Sequence, residues 1–281
     1  MKLIKPLLFL IPISIIVGCC DTDKQQEAKP NLGDWQLQQK VTKQIKNIEF
    51  TFPGEGYAFE KRDSLVAECL KAIDENKAIL ELEEFTNPYK IKFYPSKAIM
   101  KHETGSGFSG YADFWRKTVC LAATDDKKII EEENIIAPPI QHELMHMIAM
   151  EQWQHPPHSS LWMNEGLATY ATKYCNGITT DQIYRYLQAN EMLVPTDSIV
   201  NHFYDTDEMI GYHQAAYMVE FLITNYGLEK FGQLWQQGFE NFENIYATPF
   251  SEVEAKLNEA IIAKYPEVPK IDWESFKKGC K

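Results

Sequence analysis

The pattern of apolar and polar positions changes character along the chain. An unbroken apolar run from Leu7 to Val17 follows Lys2 and Lys5, and residues 19–45 then carry almost no apolar periodicity. Asn47–Phe52 alternates apolar and polar side chains and ends at Pro53-Gly54, which predicts a strand. A helix is expected from a cap at Asp63 or Ser64 to about Leu82, with Leu65, Leu70, Ile73, Ala78 and Leu80 on its apolar side. Tyr89–Tyr94 alternates apolar and basic residues and reads as a half-buried strand. A glycine-rich stretch, His102–Gly110, follows, and then a further strand over Lys117–Ala123.

From Pro138 the period becomes helical. Pro138-Pro139 suits a first helical turn, and Ile140, Leu144, Met147 and Ile148 form one apolar stripe. A second helix is expected from Ser159 or Ser160 to Asn176-Gly177, and a third after Thr179-Thr180. A fourth runs from about Met209 to Asn225 with Gly227 as its stop, and a fifth from Leu228 to Gln237 ending at Gly238. Ser251–Glu254 reads as a capping box for a last helix to about Lys264. Strands first and helices afterwards predict an α+β fold, with a small mixed sheet in one lobe (about 46–152) and a mainly helical lobe (about 153–281).

Composition narrows the function. The 281 residues, 44% of them hydrophobic, can bury a full core in one domain or in two lobes sharing a cleft. A net charge of −12 repels phosphate backbones, so nucleic acid is excluded as a partner. Residues 1–18 have the basic start, short apolar core and small final residue of a secretory signal. Ile16-Val17-Gly18-Cys19 resembles the lipobox of bacterial lipoproteins. That likeness implies cleavage before Cys19, acylation of Cys19, a membrane-anchored protein of the cell envelope, and a tether over 19–45. Cys69, Cys120, Cys175 and Cys280 remain in the folded part. Export permits disulfides among them, with the pairing open, and their spacing does not suggest a zinc–cysteine site.

His142-Glu143-Leu144-Met145-His146 is an HExxH pattern inside a predicted helix. Residues four apart share a helix face, so both imidazoles reach one ion, while Glu143 reaches a water on that ion without being a ligand. Catalytic zinc takes three protein ligands and leaves the fourth position for water. Glu165, in Asn164-Glu165-Gly166 on the next helix, is placed to supply the third after a turn and an antiparallel return. Gly166 costs that helix about 1 kcal/mol against alanine, which points to close packing there.

HExxH, eighteen intervening residues and then Glu is similar to the ligand pattern of gluzincin metallopeptidases. Leu161–Ala168 (LWMNEGLA) resembles the second-ligand helix of the zinc aminopeptidases in that group, and Gly110–Asp113 is loosely similar to members just before HExxH. The resemblance implies a thermolysin-like domain over 46–281 with a zinc cleft between its lobes, one Zn2+ on His142, His146 and Glu165, and Glu143 as general base. It also favours Tyr212 as the hydrogen-bond donor to the oxyanion. In those relatives a catalytic tyrosine opens a helix with leucine ten residues on and glycine fifteen on, as Leu222 and Gly227 stand here. The neighbouring His213 is rotated about 100° away and cannot face the same point.

The sequence departs from the aminopeptidases in lacking the Gly-Ala-Met-Glu-Asn segment whose glutamate binds a substrate's free amine. An endopeptidase acting on peptide or protein substrates fits better, with Lys117–Ala123 as the strand at the cleft's edge. Two other readings stay open: a catalytically silent lipoprotein that keeps the fold as a binding module, and a hydrolase of some other ester or amide. His155-Pro156-Pro157-His158 reads as a rigid solvated loop between the two ligand helices.

Overall fold

The computed structural model describes residues 39–135 and 137–280, so the signal segment and Cys19 lie outside the described residues. Its mixed sheet contains β1 (Lys40–Ile45), β2 (Ile48–Pro53), β3 (Tyr89–Tyr94), β4 (Gly110–Asp113) and β5 (Thr118–Ala122), in the spatial order β1-β2-β3-β5-β4. The central β2, β3 and β5 run parallel, and β1 and β4 lie antiparallel on the two edges. Parallel neighbours need a long crossover, and α1 (Arg62–Ile79) supplies it between β2 and β3.

Alternation decides which residues build the core. Phe50, Phe52, Ile91, Phe93, Val119 and Leu121 bury one sheet face, where α1 and the later helices pack. Their neighbours Tyr94 and Cys120 turn to the other face and meet Met100 of α2 (Lys97–Thr104). After α3 (Lys127–Glu133) the chain is almost wholly helical: α4 (Ile140–Trp153), α5 (Leu161–Thr172), α6 (Thr180–Ala189), α7 (Thr196–Asn201), α8 (Glu208–Tyr226), α9 (Leu228–Gln237) and α10 (Phe250–Lys264). α4 packs between the sheet side and α5, and α5 packs in turn on α8. The architecture is α+β. Among the described residues no helix is long and apolar enough to cross a membrane.

Several boundaries differ from the expectations. Lys40–Ile45, expected to be the end of a tether, is strand β1. Its side chains are mostly exposed, because an edge strand with little to cover needs no apolar alternation. Within the span from 95 to 110, α2 forms behind Ser96, whose hydroxyl accepts from the Ile99 N–H, and only the residues after Gly105 are loop. The expected long second helix stops at Thr172. Asn176-Gly177 instead turns a small hairpin of β6 (Tyr174–Cys175) and β7 (Ile178–Thr179). Both turn residues have positive φ, 54° and 77°, the geometry that favours Asn-Gly in a two-residue hairpin. The capping box expected at Ser251–Glu254 is absent, since α10 starts two residues earlier, behind Pro249, without a side-chain cap. A capping box opens α6 instead, where Gln182 accepts from the Thr179 N–H at 3.1 Å. Cys175 and Cys280 form a disulfide, while the thiols of Cys69 and Cys120 are free and buried.

Candidate metal centre

The helix carrying HExxH is pinned at both ends. At its start the Asn76 amide donates to the Gln141 carbonyl at 3.0 Å, tying α4 to α1. At its far end Glu151 pairs with Lys117 and accepts from the Tyr89 hydroxyl at 2.6 Å, and the Trp235 indole donates to the Gln154 carbonyl at 2.8 Å. Leu144, Met147 and Ile148 are buried in the core, which leaves the side bearing His142 and His146 turned toward α5. The next helix comes in close because of one glycine. A Cβ on Gly166 would stand 2.8 Å from the backbone carbon and oxygen of Ala215, so α5 and α8 cross at a distance only glycine allows.

That packing brings three ligand-type side chains together. The Nε2 atoms of His142 and His146 each lie 3.3 Å from the same Glu165 oxygen, Oε2. All three ligand atoms fall within 4.8 Å of one another, a group that can hold a metal ion. The two imidazole rings are 4.6 Å apart and nearly perpendicular. Two of the three are oriented from behind. His146 Nδ1 donates to Asn164 Oδ1 at 2.9 Å, which turns Nε2 toward Glu165. The Tyr204 hydroxyl donates to Glu165 Oε1 at 3.1 Å, so Oε2 is left for the cluster.

The electrostatics favour positive charge at this point. Burial works against charge on His146, but Glu165 beside it, helped by Glu143 and Asn164, lifts the imidazole to about 9. Burial also raises Glu165, yet His146 and His142 outweigh it and hold the carboxyl well below the usual carboxylate range. Glu143 is buried next to the cluster, and burial pushes its carboxyl up despite the two histidines and the Ala112 N–H that donates to it. A pocket that recruits a proton onto the buried His146 imidazole opposite a carboxylate is one that a cation can occupy.

Tyr212, at the start of the second turn of α8, stacks over His142 with ring centres 6.4 Å apart and planes 16° from parallel. Burial and the nearby Glu165 raise its phenol, so it stays neutral. His213 faces the other way, against Phe276 and the Cys280 sulfur. His155 Nδ1 donates to the Pro156 carbonyl and His158 Nε2 to that of Asn201, so this loop's histidines are tied to backbone.

The strand beside the centre is β4, and the expectation for Lys117–Ala123 is corrected. β5 is interior, paired on both sides, because the turn after Asp113 folds Gly110–Asp113 outside it. A Cβ on Gly110 would lie 2.5 Å from Glu143 Oε1, so the edge strand runs directly along the general-base candidate. Sequence reasoning also missed Tyr204 and the role of Asn164. Asn164 adjoins Glu165 within a motif already singled out, whereas Tyr204 sits in a short 3-10 turn with no pattern around it. No family model matches the chain, and no curated protein is found to be similar to it.

Proposed function

We propose that the protein is a zinc metallopeptidase of gluzincin type, acting within peptides or proteins. The observation that carries this reading is the convergence of two imidazole nitrogens on one Glu165 oxygen, 3.3 Å each, beside a buried glutamate. The donor set fits zinc: bonds of about 2.0–2.1 Å in a tetrahedron put ligand atoms about 3.3–3.4 Å apart. Asn164 behind His146 and Tyr204 behind Glu165 are the kind of outer partners that orient zinc ligands.

A zinc ion at such a site is a Lewis acid and lowers the pKa of water to about 7. The remaining work falls to the chain. Glu143 takes a proton from the attacking water and passes it to the leaving amine. Its burial suits it, since a carboxylate raised above its ordinary value is the better base. Tyr212 offers a neutral phenol to the carbonyl oxygen as charge develops there. β4 supports an extended substrate. Ser109 accepts from the Ala122 N–H, so Gly110 and Ala112 alternate outward with their backbone groups turned away from β5. An added antiparallel strand on that edge runs past Glu143. With the aminopeptidase amine-binding segment absent, an edge strand of this kind favours internal cleavage.

In this reading the lipobox-like Cys19 anchors the protein at the cell envelope. The experiment is metal analysis of the purified protein: one zinc per chain, lost when His142, His146 or Glu165 is replaced by alanine. Retention of zinc in all three variants would remove this cluster as its site.

A further inference from the structure

A second group of ligand-type side chains lies on the far side of α8, away from the first. Cys175 Sγ, Cys280 Sγ and the His213 imidazole sit within 4.8 Å of one another. His213 is only 4% exposed, and among the described residues its Nδ1 has no hydrogen-bond partner. Its nearest polar contact is Nε2 to Cys280 Sγ at 3.9 Å. Among the described residues burial is the one influence on the ring and pulls it down to about 4, so it is neutral and carries a free lone pair. Two sulfurs and one neutral imidazole aimed at a common point are the donor set of a soft or borderline cation.

We propose that Cys175, Cys280 and His213 form a second metal site, for Zn2+ or a similar thiophilic cation, which the Cys175–Cys280 disulfide closes and reduction opens. Cys175 is buried but Cys280 is exposed, so a reductant can reach the bond from the Cys280 side. A dithiol supplies the two electrons. One of its thiolates attacks the Cys280 sulfur and breaks the S–S bond, and its second thiol then displaces the mixed disulfide. The reductant leaves as a cyclic disulfide, and both cysteines are left as thiols. One Zn2+ then replaces the two thiol protons, which go to solvent, and accepts the His213 lone pair. The segment bearing Cys280 follows the short helical turn Trp273–Phe276 and is held beside the β6–β7 hairpin, where the Asn176 amide donates to the Gly279 carbonyl. This site does not depend on the proposed peptidase activity.

The test uses the full chain and Co2+ as probe, because thiolate-to-cobalt charge transfer in the near-ultraviolet reports sulfur ligands and is silent for a His, His, Glu set. The chain reduced with a phosphine and cleared of it should gain that band by the second equivalent of added cobalt, since the His142, His146 and Glu165 group can take the first silently, and excess Zn2+ should abolish it. The oxidised chain should show no band. Cys280→Ser, in an exposed position, should lose the band without loss of folding. His213→Phe, with its melting temperature checked, should weaken cobalt binding and shift the visible bands. No band in the reduced chain would overturn the proposal, as would a band that survives Cys280→Ser and so comes from other thiols. An unchanged cobalt spectrum and affinity in folded His213→Phe would remove the imidazole from the site.

Discussion

Gly110→Ala adds one methyl group at the point where β4 passes Glu143. The new Cβ would stand 2.5 Å from Glu143 Oε1, 2.6 Å from its Cγ and 2.5 Å from Pro139 Cγ. Ordinary contacts between such atoms are about 3.4 Å or more, so the carboxylate or the strand must yield by about 0.9 Å. The backbone at Gly110 is not left-handed, so the cost is purely one of space. Overpacking of this kind costs about 1–3 kcal/mol of stability. A displacement near 1 Å at a reacting group costs about a hundredfold in rate. Zinc content should stay at one per chain, because Gly110 touches none of the three ligands. The assay is turnover on a cleaved peptide, with metal analysis and thermal melting as controls. Turnover within twofold of the unmodified protein, with the variant folded and zinc bound, would refute the placement of Glu143 as a base held against β4.

Two further outcomes follow from the residues on α8. Tyr212→Phe removes the hydroxyl while keeping the ring over His142. It should lower turnover by about a hundredfold with zinc content and melting temperature nearly unchanged, as loss of an oxyanion donor does. His213→Ala should be milder, and a dead His213→Ala beside a fully active Tyr212→Phe would reverse the assignment. His213 also sets a pH dependence. Its folded value of about 4 lies below the ordinary 6.5, so between those values the unfolded chain binds the extra proton and folding is weakened. Stability should therefore fall by about 3 kcal/mol as pH drops from about 6.5 to about 4. Denaturant titrations of the oxidised protein against His213→Phe should show this slope only in the unmodified chain, and equal slopes would contradict the burial of a neutral ring.

How much the sequence discloses depends on whether the information is local. α4 and α9 are legible because periodicity and terminators coincide, as with Gly227 and Gly238 around Leu228–Gln237. The HExxH helix and Glu165 are legible because four-residue spacing and helix order do most of the positioning. β1 is not, since an exposed edge strand lacks the apolar alternation that marks β2 and β3. β4 is short and only partly buried, so nothing local assigns it to the sheet edge rather than to the glycine-rich loop before it. Tyr204, Ala112 and Gly110 enter the centre through tertiary packing over long separations, and no local pattern encodes that. The Cys175–Cys280 pair spans 105 residues and closes beside His213 for the same reason.

The most direct measurement is hydrolysis of an unbiased peptide library by the zinc-loaded protein and by Glu143→Gln. Glutamine keeps the shape of the side chain but cannot accept the proton. The unmodified protein should cleave internally, and turnover should fall by several orders of magnitude in the variant with one zinc still bound. Equal turnover by the two proteins would contradict this, as would no cleavage by a folded, zinc-loaded protein.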